Sequence, residues 1–358
     1  MAIAVLFGGR SCEHDVSIVT GVQALSALKS YKPLPVYIDA EGRWHTGGAL
    51  FTVPGVRAGK GLKSVYMSPG SDILRYRSGR AAARIDVAVL CCHGAGGEDG
   101  SLQGFLELCG VPYTGAGVLP SAVCLDKAEF KARAASLGFP VLPYASFTRR
   151  EWNEDIYSVA ERINAVGYPL MVKPSRQGSS IGISPAKDEA ELVAAVRTAL
   201  HFDNAIVAEK LLEGFRELSC AALSDGKNIE ISRVEEPVGW KKFLTYRDKY
   251  AGKHAVRRRL PADIPEETEK KVREMTGKLF SAFSLAGVAR VDFLLAADGE
   301  LYVNEANTVP GSLAEYLFAA SGMSTSEFYR RLLASARAEA EERRLLVYRF
   351  SPALTAEK

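Results

Sequence analysis

Near position 300 the chain brings together two residue types that ordinarily avoid each other. Gly287-Val-Ala-Arg-Val-Asp-Phe-Leu-Leu reads as one strand and Glu300-Leu-Tyr-Val-Asn-Glu as its partner, with Ala297-Asp298-Gly299 as a hairpin turn signal between them. With Asp298 and Gly299 as the central turn residues, antiparallel pairing sets Asp292 opposite Glu305 and Arg290 opposite Asn307. Two carboxylates directly opposed on one sheet face repel. A hard divalent cation between them makes the pair favourable, and Asn307 adds a third oxygen two residues along. Few protein ligands, all oxygen, suit Mg²⁺, which completes its shell with water and substrate phosphates. The alternative is an exposed hairpin with scattered charges. The next residues favour the nucleotide reading: Thr308-Val-Pro-Gly311 ends the strand in a loop whose backbone N–H groups could face a ligand.

A chain of 358 residues has room for two or three domains with buried cores. The net charge of +3 gives a nucleic-acid partner no support, and the basic cluster Lys249, Lys253 and Arg257 to Arg259 is local. That cluster reads either as a solvated face or as a phosphate-facing loop. No run of about 18 apolar residues exists, so no membrane span is expected. Met1-Ala-Ile-Ala-Val-Leu-Phe lacks a basic leader and runs straight into a glycine turn, which reads as a first strand rather than a signal peptide. The cysteines Cys12, Cys91, Cys92, Cys109, Cys124 and Cys220 form no CxxC pair, and most sit in apolar patterns. They read as buried thiols in a reducing cytoplasm, and with the histidines also dispersed no zinc site is expected.

Along the chain, Ile3 to Phe7 reads as a buried strand, Ser17 to Leu28 as a helix, Lys32 to Asp39 as extended and Ile85 to Cys92 as a second apolar strand. The segment Gly47 to Ser78 between them is Gly-rich and irregular. Such alternation predicts a parallel α/β sheet with ligands at the carboxyl ends of its strands. Both strands do end in polar glycine loops, Gly8 to His14 and His93 to Gly100. The first is not GxGxxG, which argues against a nicotinamide cofactor. A helix from Ser121 to Leu137 opens a second α/β region. There the strand Tyr168 to Pro174 leads into Ser175-Arg-Gln-Gly178-Ser179-Ser180-Ile-Gly182, a loop rich in backbone donors that reads as a phosphate wrap or as a plain hairpin turn. Ile206 to Gly214 reads as a strand running into a turn, Trp240 to Arg259 as a mobile loop and Ser324 to Leu346 as an amphipathic helix.

Five ordered segments then form a recognisable set. They are Gly8-Gly-Arg-Ser-x-Glu-His-Asp-Val-Ser, His93-Gly-x-x-Gly-Glu-Asp-Gly, Lys173-Pro-Ser-Arg-x-Gly-Ser-Ser-x-Gly, Lys249-Tyr250, and Arg290-x-Asp with Glu305-x-Asn-Thr-x-Pro-Gly. From Val5 to about Leu317 the chain resembles the D-alanine–D-alanine ligases of the ATP-grasp superfamily. The resemblance implies an α/β and α+β fold: an N-terminal parallel α/β (pre-ATP-grasp) domain at 1–92, a central ATP-grasp lobe at 93–205, a C-terminal lobe at 206–335, and a helix and tail at 336–358. It implies that ATP phosphorylates the carboxylate of one D-alanine, and that the amine of a second attacks the acylphosphate to give D-alanyl-D-alanine for peptidoglycan precursors. The expected partners are these small molecules, with no nucleic acid and no membrane. A cytoplasmic homodimer is expected.

The same resemblance implies residue roles. Glu13 holds the ammonium of the first D-alanine, and Ser179 and Tyr250 link to it and close the loop. Lys127, Lys173 and Lys249 meet the ATP phosphates, while Glu209, Lys210, Leu212 and Glu217 contact adenosine. Asp292, Glu305 and Asn307 hold Mg²⁺, two ions with Mn²⁺ as a substitute. Arg290 and the Gly311 N–H stabilise the oxyanion. One departure stands out. Relatives place a Thr and then a Ser after this glycine for the acceptor's carboxylate, and here Tyr316 falls on that serine, with Ser312 as the other candidate. The acceptor is therefore open among D-alanine, D-serine, D-lactate and other amino acids, with Tyr250 favouring an amine.

Overall fold

The computed structural model describes residues 2–238 and 257–347. The predicted first strand spans Ala2–Gly8 and lies between Leu34–Ile38 and Ala81–Leu90, parallel to both. Its side chains divide by alternation: Ile3, Val5 and Phe7 enter one apolar core, Ala4 and Leu6 another. Burial on both faces is what a parallel strand requires, and it explains the unbroken apolar run. The helix His14–Ala27 packs so closely here that a Cβ on Gly21 would stand 2.3 Å from the Phe7 ring.

Among the strand pairs of the described residues, the two made by Ala2–Gly8 alone are parallel. The Gly-rich stretch expected to be irregular instead carries strands Lys63–Tyr66 and Ile73–Tyr76, which with Trp44–Thr46 close the sheet into a barrel by antiparallel pairing. The expected boundary at 92/93 also falls too early. Leu102, Leu106, Cys109, Val111 and Tyr113 belong to the N-terminal core, and Ala88 bridges to Tyr113.

The predicted helix 121–137 is two helices, Val118–Leu125 and Lys127–Ser136, broken at Asp126, whose carboxylate caps the second at Ala128 and Glu129 N–H. Next comes an antiparallel sheet in the order Tyr144–Thr148, Ala205–Lys210, Leu170–Pro174, Ser184–Ala186, covered by helices Ile156–Val166 and Glu189–Ala199. Because Ala205–Lys210 sits inside this sheet, the boundary expected at 205/206 cuts it off from its partners.

The last large sheet runs Ile229–Ile231, Arg216–Ser224, Val288–Leu295, Leu301–Asn307. Its one face meets helix Glu266–Ala282, and the other shares a core with the N-terminal barrel through helix Thr325–Arg344. Ala336 and Ala340 are buried on this helix, so the expected division at 335/336 splits one continuous element. The end of the expected loop 240–259 is also ordered: Arg257–Arg259 pairs with Glu236–Val238. Among the described residues no helix is long and apolar enough to cross a membrane.

Candidate active site

The hairpin pairs Asp292 with Glu305 and Arg290 with Asn307, as the sequence predicts, but by a different route. The turn holds three residues rather than two: Ala296 N–H donates to Glu300 O at 2.8 Å and Gly299 N–H to Ala296 O at 3.0 Å. Gly299 takes φ +90°, which only glycine adopts without strain. Pairs nearest the turn are consequently shifted, Phe293 to Val303 and Leu295 to Leu301. A bulge beyond Phe293 restores the register before Asp292 is reached.

Asp292 is 2 % exposed and fully engaged. Ser219 Oγ donates to it at 2.7 Å, Asn307 Nδ2 at 2.9 Å, and Arg290 grips both oxygens at 2.7 Å. Burial acts to discharge Arg290, but Asp292 overrides it and holds the guanidinium well above its ordinary range. Glu305 meets Lys127 Nζ at 3.2 Å. Among the described residues no three Asp, Glu, His or Cys side chains are placed to hold a metal. The hard-cation reading therefore rests on the backbone pairing that sets Asp292 opposite Glu305 with Asn307 two residues along, and on donor chemistry: two carboxylates and an amide oxygen are the ligand types Mg²⁺ takes.

Ser17 fixes the two glycine loops. Its hydroxyl accepts from Gly8 N–H at 3.0 Å and donates to Cys91 O at 2.6 Å, tying together the strand ends from which both loops spring. Glu13 sits at the N-cap of helix His14–Ala27, yet its side chain makes no capping bond. It accepts instead from Ser179 Oγ, which reaches it from the loop after Leu170–Pro174. Two glycines leave room for this carboxylate. A Cβ on Gly178 would lie 2.7 Å from Glu13 Oε2, and one on Gly94 2.9 Å from it. Glu13, Glu98, Lys127, Gln177, Gly178, Glu305, Asn307 and Thr308 line one narrow cleft.

The nucleotide-side residues gather at a second place. Lys173 and Glu209 share a face of the central sheet and pair there, and Lys131 Nζ approaches Glu209 from helix Lys127–Ser136 at 2.9 Å. Burial alone would push the Glu209 carboxyl up; Lys173 and Lys131 outweigh it and hold it down at about 2. Lys210 is committed elsewhere, donating to Tyr168 O at 2.6 Å and Gly167 O at 3.2 Å. Leu212 lies on the segment joining the two sheets, and Glu217 in the strand beyond it. Lys249 and Tyr250 fall outside the described residues.

Gly311 opens a tight turn in which Ser312, Leu313 and Ala314 all have φ near +50°. Ser312 N–H donates to Thr20 Oγ1 at 3.2 Å. The Tyr316 hydroxyl donates to Glu235 Oε2 at 2.6 Å, so its proton is already committed and does not point to a substrate carboxylate.

Sequence reading left several residues here without a role. His93, buried against Thr20 Oγ1 at 2.8 Å, is held neutral by burial, which lowers it to about 4. Glu98 accepts from Gly94 and Val309 N–H, and burial with the nearby Glu13 pushes it up to about 8. Both stand in the His93-to-Gly100 motif, where the signal was present. Lys131, Ser219 and Glu235 carried none, and Arg258 stood only within a basic cluster that reads as a solvated face or a phosphate-facing loop.

Comparison with known proteins identifies the family. A family model described as D-ala D-ala ligase N-terminus matches residues 2–116, and one described as D-ala D-ala ligase C-terminus matches residues 134–334. The D-alanine–D-alanine ligase of Thermosipho africanus (strain TCF52B) is 34 % identical over 357 residues, spanning 97 % of this chain and 96 % of its own. The D-alanine-D-alanine ligase structure from Coxiella burnetii superposes with a TM-score of 0.82 at 27 % identity, covering 96 % of both chains. The VanG D-Ala:D-Ser ligase from Enterococcus faecalis superposes at 0.81 and 29 %, covering 94 % of this chain and 99 % of that one. A hairpin that opposes Asp292 to Glu305 beside Arg290, a Glu13–Ser179 contact between lobes, and family matches over both halves lead to one conclusion: the chain belongs to the D-alanine–D-alanine ligase family.

Proposed function

We propose that the protein joins two D-alanines into D-alanyl-D-alanine at the expense of ATP, supplying a peptidoglycan precursor in the cytoplasm and working as a homodimer. The observation that carries this reading is the single cleft that unites Glu13 and Gly178 with Lys127, Glu305 and Asn307. An amino-acid ammonium site and a phosphoryl-transfer site there share one wall.

In this reading Glu13, oriented by Ser179, holds the ammonium of the first D-alanine through a charge-assisted bond. Lys127 and Lys173 neutralise ATP phosphates, and Glu209, Lys210, Leu212 and Glu217 receive adenosine. A carboxylate oxygen of the substrate takes the γ-phosphoryl group, and ADP leaves. The amine of the second amino acid then attacks the carbonyl carbon, its proton is lost, and phosphate departs. Arg290 and the Gly311 N–H stabilise the oxyanion formed at that carbon. Asp292, Glu305 and Asn307 would hold Mg²⁺, which neutralises phosphate charge during transfer. Lys249 and Tyr250 take in this reading the roles that the family resemblance gives them, toward the ATP phosphates and the first D-alanine site, and an acylphosphate must be kept from water to survive.

One observation favours a second reading of the acceptor. With Tyr316 bonded to Glu235, the acceptor pocket departs from the family's serine pattern, and D-serine, D-lactate or another amino acid becomes the rival second substrate. The deciding experiment measures phosphate release from ATP and Mg²⁺ with D-alanine, L-alanine, and D-alanine mixed with D-serine or D-lactate, and identifies products by mass. D-alanyl-D-alanine as main product supports the first reading and a mixed product the second. Silence with every amino acid refutes both.

A further inference from the structure

We infer that Arg258 is the residue that receives the carboxylate of the acceptor amino acid, held in place by Glu235 and Tyr316. The inference rests on the ligase reading above and assigns a subsite that the Tyr316 hydroxyl, already spent, does not fill.

Three observations bring Arg258 to that position. Its neighbour Arg259 is engaged with Glu236 and Asp263, and alternation along Arg257–Arg259 turns Arg258 the other way. There its guanidinium lies over the Tyr316 ring, 4.7 Å from the centroid, and meets Glu235 Oε1 at 3.2 Å. Glu235 is 3 % exposed and uses its other oxygen to accept from the Tyr316 hydroxyl. One buried carboxylate and one aromatic face thus fix the plane of a guanidinium whose side chain remains 47 % exposed. Stacking together with a single charge contact leaves the rest of a planar fork suited to a second carboxylate, which a lysine cannot present.

The location matches the chemistry. An acceptor's carboxylate is two bonds from its attacking nitrogen, so its cation must stand beside the oxyanion group. Glu235 and Ser219 exchange both backbone hydrogen bonds at 2.8 Å, and Ser219 Oγ donates to Asp292, the partner of Arg290. Arg258 is thus joined to the Arg290–Asp292 pair through Glu235 and Ser219.

The test uses D-alaninamide, which has an amine to attack with but no carboxylate to phosphorylate, and so serves only as acceptor. With D-alanine as donor, the wild type should prefer D-alanine over D-alaninamide as acceptor. Arg258→Met should reduce that preference by about 10- to 100-fold, the range for one hydrogen-bonded charge, while the KM for ATP and for the first D-alanine stay within about twofold. Arg258→Lys, which keeps charge and loses the fork, should fall between, and it serves if the Met variant does not fold. A well-folded Arg258→Met or Arg258→Lys enzyme that retains the wild-type preference overturns the assignment, whatever its absolute rate. A wild type that releases no phosphate with D-alanine overturns the ligase reading itself and this inference with it.

Discussion

Replacing Lys131 by Met should lower stability by a calculable amount, and only at pH values where Glu209 is charged. Lys131 is 1 % exposed and lies 2.9 Å from a carboxylate that is itself 2 % exposed. Methionine keeps the volume and deletes the charge, leaving Glu209 with Lys173 alone. The two lysines draw the Glu209 carboxyl from an ordinary 4.5 to about 2, worth roughly 3 kcal/mol at ~1.4 kcal/mol per pH unit, and they do so against the cost of burial. Losing one of them hands much of that back, but methionine also removes the cost of burying the Lys131 ammonium, which burial holds below its ordinary range in spite of Glu209; a deficit of about 2 kcal/mol is expected, under the range for a broken buried ion pair because one partner stays. For cooperative unfolding of 358 residues, at ~2.1 cal/mol/K per residue, this corresponds to a Tm lower by about 3 °C. The sign with pH comes from linkage. A carboxyl lowered in the folded state adds stability that is complete above about 4.5 and lost as pH falls toward about 2. Thermal melts of both proteins from about pH 7 down to about pH 3 should therefore show a gap that is full at neutrality and narrows below about pH 4.5. Glu209→Gln should cost a similar amount, and the double variant less than the sum. A neutral-pH gap below about 1 °C, or one that does not change with pH, would refute the reasoning.

Single contacts give further expected outcomes. Gly178→Ala puts a methyl 2.7 and 3.0 Å from the two Glu13 carboxylate oxygens, so the KM for the first amino acid should rise at least tenfold with little change in Tm; kinetics at saturating ATP check it. Arg290→Ala should cut kcat by about 10²–10³ while ATP still binds, measured by calorimetry beside turnover. Burial keeps Glu98 protonated up to about 8, whereas the unfolded chain ionises it at 4.5, so its contribution declines as pH rises from about 4.5 to 8. Glu98→Gln should flatten that slope in pH-dependent denaturation. Tyr316→Phe removes the donor to Glu235 but keeps the ring under Arg258, so D-alanine should still be preferred over D-alaninamide as acceptor, with a loss of stability near ~1 kcal/mol.

What the sequence determined by itself was local in character. The Asp298-Gly299 signal fixed where the hairpin turns, and opposed carboxylates fixed which register makes sense, because strand alternation ties side-chain faces to residue count. The motif loops were legible for the same reason: glycines at 94 and 178 are needed where a carboxylate passes close to backbone. Boundaries were less so. The strand Ala205–Lys210 looks the same in sequence whichever sheet claims it, and the short strands of 44–76 carry too little pattern to announce a barrel. Tertiary structure alone decided the rest. It compensated a three-residue turn with a bulge, so that Asp292 still faces Glu305. It also chose the partners of the buried charges: Lys131 for Glu209, Ser219 for Asp292, and Glu235 with Arg258 for Tyr316. Each of these joins residues distant in the chain, and in each the carboxylate is buried away from water. Burial of that kind is a property of the packed lobes, and no spacing along the chain encodes it.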